Sequence, residues 1–305
     1  PGMKESDRLL CTYELNTTDT LLLFTNGGSY LFLPVHQLPE VRWKDIGQHV
    51  ANLVTMDNGD EIVAAIPVEK FTEDQYLLFA TKHGTVKRTI LKEYYAQRNS
   101  RALMAIKLRE NDEVINVQLI NGDEDIFVTT HLGYGLLYTV DEINVTGIRT
   151  TGVKSINLKN NDFVVSSFAF PQDTDFDLFL VTQRAAYKKM PLRIFEKTSR
   201  AKRGVVMLKE LKAQPHRAVA LLPVSKNGKV WVKAENDYVD SIDVQAVRLN
   251  DRYTNGSFLF DTDETGEVVD VWYERDEEEL EKEKADEDEQ SEGNNVFIGD
   301  QTKLF

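Results

Sequence analysis

Cysteine is almost absent from this chain: Cys11 is the only one in 305 residues. An internal disulfide is therefore excluded, and a reducing cytoplasm is the expected location. Cys11 lies in the apolar stretch Leu9-Leu10-Cys11-Thr12-Tyr13 and reads as a buried structural thiol. Long apolar runs are missing too, and with 28% charged residues no segment suits a membrane span. Pro1 to Arg8 is polar and charged, without the apolar centre of a secretory signal. Histidine is sparse: His36, His49, His83, His131 and His216 stand apart, with no i,i+4 pair and no cysteine partner, so zinc is not expected. Gly27-Gly28-Ser29 lacks the lysine and the helix of a phosphate-cradling loop. Asp57, Asp60 and Glu61, like Asp123-Glu124-Asp125, cluster at turns and read as solvated turn acids before calcium ligands. With no catalytic set, metal site or cofactor motif, the chain reads as a binding module.

What is present is charge, unevenly spread. The net charge of −14 conceals an acidic end: residues 275–305 hold twelve acidic and four basic side chains, a net of −8. That segment buries nothing and is expected to stay disordered. Upstream, Lys82 to Arg109 holds eight basic residues against one acidic, and Arg184 to Arg217 eleven against two. Charges more than about 10 Å apart are largely screened at physiological salt, so such excesses make positive surface whatever the total.

A repeat organises the body. Leu21-Leu22-Leu23-Phe24-Thr25, Tyr76-Leu77-Leu78-Phe79-Ala80-Thr81, Asp125-Ile126-Phe127-Val128-Thr129-Thr130, Leu178-Phe179-Leu180-Val181-Thr182 and Gly228-Lys229-Val230-Trp231-Val232-Lys233 read alike. Their last residues are spaced by 56, 49, 52 and 51. Three residues on stand Gly28, Gly84, Gly133, Ala185 and Asn236, suited to a hairpin turn with positive φ. A second small residue follows in each unit, Gly47, Ala102, Gly152, Gly204 and Gly256, and then another strand-like run. About four short strands in a period of about 50 residues is the pattern of a propeller blade. No stretch of the body sustains the 3.6-residue period of a helical repeat. The fold expected is all-β: a propeller-like disc of about five to six four-stranded blades. Its units run over about 19–70, 71–121, 122–172, 173–224 and 225–274, after the closing part of a truncated blade (1–18) and before the acidic tail (275–305).

Basic residues recur between the two anchors of each unit: Arg42-Trp43-Lys44, Arg98-Asn99-Ser100-Arg101, Arg149-Thr150-Thr151 with Lys154 beyond, Arg200-Ala201-Lys202-Arg203, and Arg248 with Arg252. Lys87-Arg88 and Lys188-Lys189 follow two of the turns. A belt of cations at one level of a disc suits the phosphate backbone of double-stranded DNA. The candidate contacts are Arg42, Lys44, Lys87, Arg88, Arg98, Arg101, Arg149, Lys154, Lys188, Lys189, Arg200, Lys202 and Arg203. Trp43, Tyr94, Tyr95 and Tyr253 lie near them and are expected to pack between blades more than to stack on bases. A protein-interaction propeller explains the repeat equally well, but not the recurrence of the cations.

Pro39-Glu40-Val41-Arg42-Trp43-Lys44-Asp45-Ile46-Gly47 and Thr198-Ser199-Arg200-Ala201-Lys202-Arg203-Gly204-Val205 resemble the C-terminal domains of bacterial type IIA topoisomerase A subunits, of the topoisomerase IV kind. The gyrase A subunit has a homologous domain, and the resemblance covers nearly all of residues 3–274. It implies a β-pinwheel, in which neighbouring blades exchange strands and a basic rim bends DNA and presents it to the cleavage core. It also implies that the catalytic tyrosine lies in the A-subunit core and the ATPase in the separate B subunit, so this chain would be non-catalytic. The Gln-Arg-Arg-Gly-Gly-Lys-Gly box that distinguishes gyrase does not occur here, but the half-blade expected to carry it would lie upstream of Pro1. The topoisomerase IV kind therefore rests on Arg42-Trp43-Lys44-Asp45 and Arg200-Ala201-Lys202-Arg203.

Overall fold

The structure is a computed structural model that describes residues 11–42, 47, 49–57, 59–97, 100–159 and 161–276. The acidic segment from 277, the first ten residues, and Lys44 and Arg98 among the candidate cations lie outside the described residues. Unit one forms β1 (Thr20–Thr25), β2 (Ser29–Pro34) and β3 (Ile62–Val68); unit two forms β4 (Tyr76–Thr81), β5 (Thr85–Ile90), β6 (Leu103–Met104) and β7 (Val114–Ile120). Unit three has β8 (Glu124–Thr130), β9 (Tyr134–Thr139), β10 (Val153–Lys154) and β11 (Val164–Pro171). Units four and five follow the same order: β12 (Asp177–Thr182), β13 (Ala186–Pro191), β14 (Val205–Val206), β15 (Ala218–Val224), then β16 (Lys229–Ala234), β17 (Val239–Asp243), β18 (Ser257–Phe258), β19 (Val268–Glu274).

These strands build four antiparallel sheets of four strands, ordered β3-β1-β2-β6, β10-β5-β4-β7, β11-β8-β9-β14 and β15-β12-β13-β18. Among the described residues the fifth sheet, β17-β16-β19, has three. In each four-stranded sheet the two-residue strand beside the hairpin comes from the following unit, so neighbouring blades are stitched together. The last strands of successive units pack against one another, β3 on β7, β7 on β11, β11 on β15 and β15 on β19. They are therefore the inner edges of the blades, and the exchanged strands are the outer ones. Blades covered on both faces need no polar face, and Leu178, Phe179 and Leu180 are all 0% exposed. This explains why the sequence shows continuous apolar runs where a half-buried strand would alternate. Aromatic contacts cross the blade interfaces, as between Phe24 and Phe79, whose rings meet edge to face at 5.5 Å.

A local clasp recurs at the hairpins. Thr25 and Thr81 hydroxyls donate to Asp60 and Asp112, each at 2.7 Å, and Asp162 accepts from the Leu132 amide at 2.9 Å. In unit four His216 takes the acid's place, with Nδ1 3.2 Å from the Thr182 hydroxyl. The turns hold Gly28, Gly84, Gly133 and Ala185 at φ between 53° and 83°. In unit five the turn residue is Asp237 (φ 66°), not Asn236, because β16 runs one residue further and Ala234, not Lys233, pairs with Val268 across the bulge. Two of the acids expected as solvated turn residues are buried in β8 instead, Glu124 at 6% and Asp125 at 5% exposure: Glu124 accepts from the amides of Asn121 and Gly122, and Asp125 lies 2.7 Å from Lys197. Cys11 is half-buried, short of the full burial expected, and burial pushes its thiol pKa up. No helix among the described residues is long and apolar enough to cross a membrane.

Candidate nucleic-acid interface

After the second hairpin strand of units two to five comes a single 3-10 turn, and then a loop that crosses to the preceding blade before the exchanged strand. The crossing loops of units three to five are anchored alike: Thr146, Thr198 and Asn250 donate their amides to Arg88, Leu137 and Lys189 carbonyls, at 2.8 to 2.9 Å. The second anchor glycines serve this crossing. Gly152, Gly204 and Gly256 have φ between 77° and 90° and lie against the neighbouring hairpin, where a Cβ on Gly256 would fall 2.0 Å from the Tyr187 carbonyl oxygen. Only glycine permits that approach.

The candidate cations divide by this geometry. Arg42, Arg101, Arg149, Lys154 and Lys202 are exposed. Arg101, Arg149 and Lys202 sit in crossing loops and Lys154 on an exchanged strand, so these four occupy the outer edge. Arg203 is half-buried with its guanidinium 4.1 Å from the Tyr134 ring centre, and Arg88 lies half-buried over Tyr76 at 5.1 Å. Arg200 is half-buried as well. Its side chain donates to the carbonyls of Glu142 (3.0 Å) and Lys154 (2.8 Å), tying unit four to unit three.

Lys87, Lys188 and Lys189, expected on the surface, are corrected by the structure to 0%, 1% and 8% exposure. Carbonyl oxygens of their own unit and of the next replace water around them. Lys87 Nζ donates to Ala105 O (2.9 Å) and Ile148 O (2.8 Å). Lys188 Nζ donates to Arg252 O (2.7 Å), Thr254 O (2.8 Å) and Met207 O. Lys189 reaches Val244 O at 2.9 Å and stands 3.8 Å from Asp177. None of the three ammonium groups can meet a phosphate while the blades are intact.

A model of the family described as DNA gyrase C-terminal domain, beta-propeller, matches residues 19–69, 75–121, 124–171 and 177–229. The chain belongs to that family. Each matched stretch holds one hairpin and its inner strand, so this gyrase-type domain repeats where the sheets do. Among its relatives is the A subunit of DNA topoisomerase 4 from Bacillus subtilis, 54% identical over 271 residues, 89% of this chain and 33% of that protein. The corresponding protein of Staphylococcus epidermidis is 40% identical over 267 residues, 88% of this chain and 33% of that one. The chain spans about a third of the length of these curated relatives. A crystal structure of the C-terminal domain of DNA topoisomerase IV matches with a TM-score of 0.88 at 44% identity, over 95% of this chain and 89% of the other. A DNA gyrase A C-terminal domain shares the fold, with a TM-score of 0.67 at 20% identity over 85% and 83% of the two chains. The likeness to topoisomerase IV A subunits drawn from the rim segments therefore holds.

Sequence reasoning passed over several exposed cations of this gyrase-type domain. Lys107, Arg109, Lys159 and Lys209 follow the exchanged strands and face solvent. The two basic stretches contain Lys107, Arg109 and Lys209, which lie beyond the second anchors Ala102 and Gly204 and so outside the belt between anchors. Of the aromatics, Tyr94 is buried and its hydroxyl donates to Ala105 O at 3.1 Å. Tyr95 stays 60% exposed, yet its ring meets Phe32 of unit one edge to face at 5.9 Å, so the expected packing between blades holds for Tyr94 and Tyr95, while Tyr253 stays 55% exposed. Trp43 lies outside the described residues.

The caged lysines have a consequence for stability. Burial, with Arg252 nearby, pushes Lys188 down to about 7, and burial pushes Lys87 down to about 8, from an ordinary 10.5. Between about pH 7 and 10.5 the unfolded chain thus holds more protons at Lys188 than the native one, so this group makes stability rise with pH across that window. Relative to Lys188→Met, the wild-type chain is expected to gain up to about 1.4 kcal/mol per pH unit above pH 7. Urea midpoints of both proteins at pH 6.5 and 9 measure it; a difference independent of pH would show the carbonyl cage keeping the ammonium charged throughout.

Proposed function

We propose that this chain binds duplex DNA along its outer edge with little sequence preference, bends it, and presents the bent segment to the cleavage core of a topoisomerase IV. One observation carries the reading. The inner strands, β3, β7, β11, β15 and β19, contain no lysine or arginine, whereas the exchanged strands and crossing loops carry Arg101, Arg149, Lys154 and Lys202 in the open. Cations segregated to the circumference of a disc suit a ligand that runs around it. Bending 20–30 base pairs by 40–90° costs on the order of 1–6 kcal/mol, which several phosphate contacts can offset. On this reading strand cleavage belongs to the A-subunit core and ATP use to the B subunit of topoisomerase IV. The present chain is their non-catalytic DNA-binding partner in the cytoplasm, on the nucleoid, and it needs no cofactor.

Fluorescence anisotropy with random-sequence duplexes of about 20 and 40 base pairs tests it. The longer duplex is expected to bind more tightly, and if about six phosphates are neutralised, log K should fall against log salt with a slope near −5. Equal affinity for both lengths would remove the bending, and no binding even at low salt would remove the DNA-binding role.

A further inference from the structure

Three residues past the hairpin turn in units one to four, the second strand places one side chain beside the next unit. In units one and three that residue is leucine, Leu31 and Leu136, and in units two and four it is Lys87 and Lys188. Lys87 belongs to β5 of unit two. Its ammonium joins Ala105 O, just past the exchanged strand β6, to Ile148 O in the crossing loop of unit three. The residue after Ile148 is Arg149, exposed on the outer edge.

The loop around Arg149 is held on every side of that carbonyl. The Thr146 amide donates to Arg88 O at 2.9 Å, the Ile148 amide to Glu93 Oε2 at 2.9 Å, and Thr150 O accepts from the Lys107 amide at 3.1 Å. Unit four shows what happens where leucine stands below. Arg200 occupies the place of Ile148, four residues before the second glycine, and its amide likewise donates to a carboxylate of the 3-10 turn, Glu142. There the arginine side chain pins its own loop to Lys154 O. Isoleucine cannot do this, and without Lys87 the half-buried Ile148 carbonyl would lose its ammonium donor, which frees the loop to adopt another conformation.

We propose that Lys87 is a positioning residue for DNA binding: through the Ile148 carbonyl it fixes the backbone of Arg149, so that the Arg149 guanidinium meets a phosphate of the bent duplex. This rests on the DNA-binding reading above. Lys87 itself never touches the ligand; its ammonium is spent on the loop.

The test is a double-mutant cycle on the whole chain, with Lys87→Leu, Arg149→Gln and both together. Leucine is chosen because Leu31 and Leu136 fill the same place in this fold. Lys87→Leu and Arg149→Gln are each expected to weaken binding to a 40-base-pair duplex about fivefold and to flatten the salt slope by about one. The double variant is expected to bind no more weakly than Arg149→Gln, whereas a purely structural lysine would give losses that multiply. Hydrogen exchange of the Ile148 to Thr150 amides should quicken about tenfold in Lys87→Leu and stay unchanged at Lys202. Multiplying losses, or unchanged exchange at Ile148 to Thr150, overturn the positioning role alone. A wild-type chain that binds no duplex overturns the DNA-binding reading and the role with it. Should Lys87→Leu fail to fold, Lys87→Arg carries the same cycle, with partial retention of loop protection and affinity expected.

Discussion

Exchanging Arg149, Lys154 and Lys202 together for glutamine is expected to weaken duplex binding about 10- to 100-fold at 0.1 M salt, and to flatten the salt slope by about three. All three side chains are exposed on the outer edge, and no described hydrogen bond or ion pair of the side chains holds them. Their backbones do take part in the scaffold, since Lys154 O accepts from Arg200 and Lys202 O from the Asn157 amide, but a change of side chain leaves those bonds intact. Stability should therefore hardly move. The comparison is a pair of cations already neutralised, Lys92 with Glu73 at 2.6 Å and Arg193 with Asp175 at 3.4 Å. Replacing these should matter far less. An equal loss per charge in both sets would mean that net charge, and not a path along the crossing loops, governs binding.

The largest loss of stability is expected from Gly256→Ala. Its φ is 77°, and the added Cβ would stand 2.0 Å from Tyr187 O and 3.0 Å from Lys188 Cβ. The left-handed backbone costs a residue with a side chain about 1–3 kcal/mol, and relieving the clash must also pull β18 from β13. About 3 kcal/mol or more is the expected total, visible as a fall in Tm by calorimetry. Gly47→Ala is the control, because a Cβ there meets nothing within 4 Å. Similar melting of the two variants would show that the seam between blades four and five contributes little.

The architecture was legible because it repeats. Gly28, Gly84 and Gly133 each lie three residues after a threonine that ends an apolar strand, a local pattern that propensity and turn chemistry can read. Gly152, Gly204 and Gly256 were visible as anchors, but not their reason, which is the approach to a strand of another unit. In unit five the sequence pattern falls one residue out of register because Lys233 and Ala234 both continue the strand, and only the cross-strand partner Val268 distinguishes them. Lys87 and Lys188 look like rim cations in the sequence because lysine in a strand ordinarily faces water. A hint was present in the alignment of units, where the same place holds Leu31 and Leu136.

By itself the sequence determined what is local and periodic: the strands, the turns that need positive φ, the count of units, and the concentration of positive charge in two stretches. Only the tertiary structure decided which of those charges meet solvent. The exchange of strands lays the loop of one unit over the hairpin of the one before, so that Lys87 finds its acceptor 61 residues away at Ile148. A buried ammonium and an exposed one look identical in a sequence. The oxygen atoms that replace water around Lys87 come from residues that only folding brings near it.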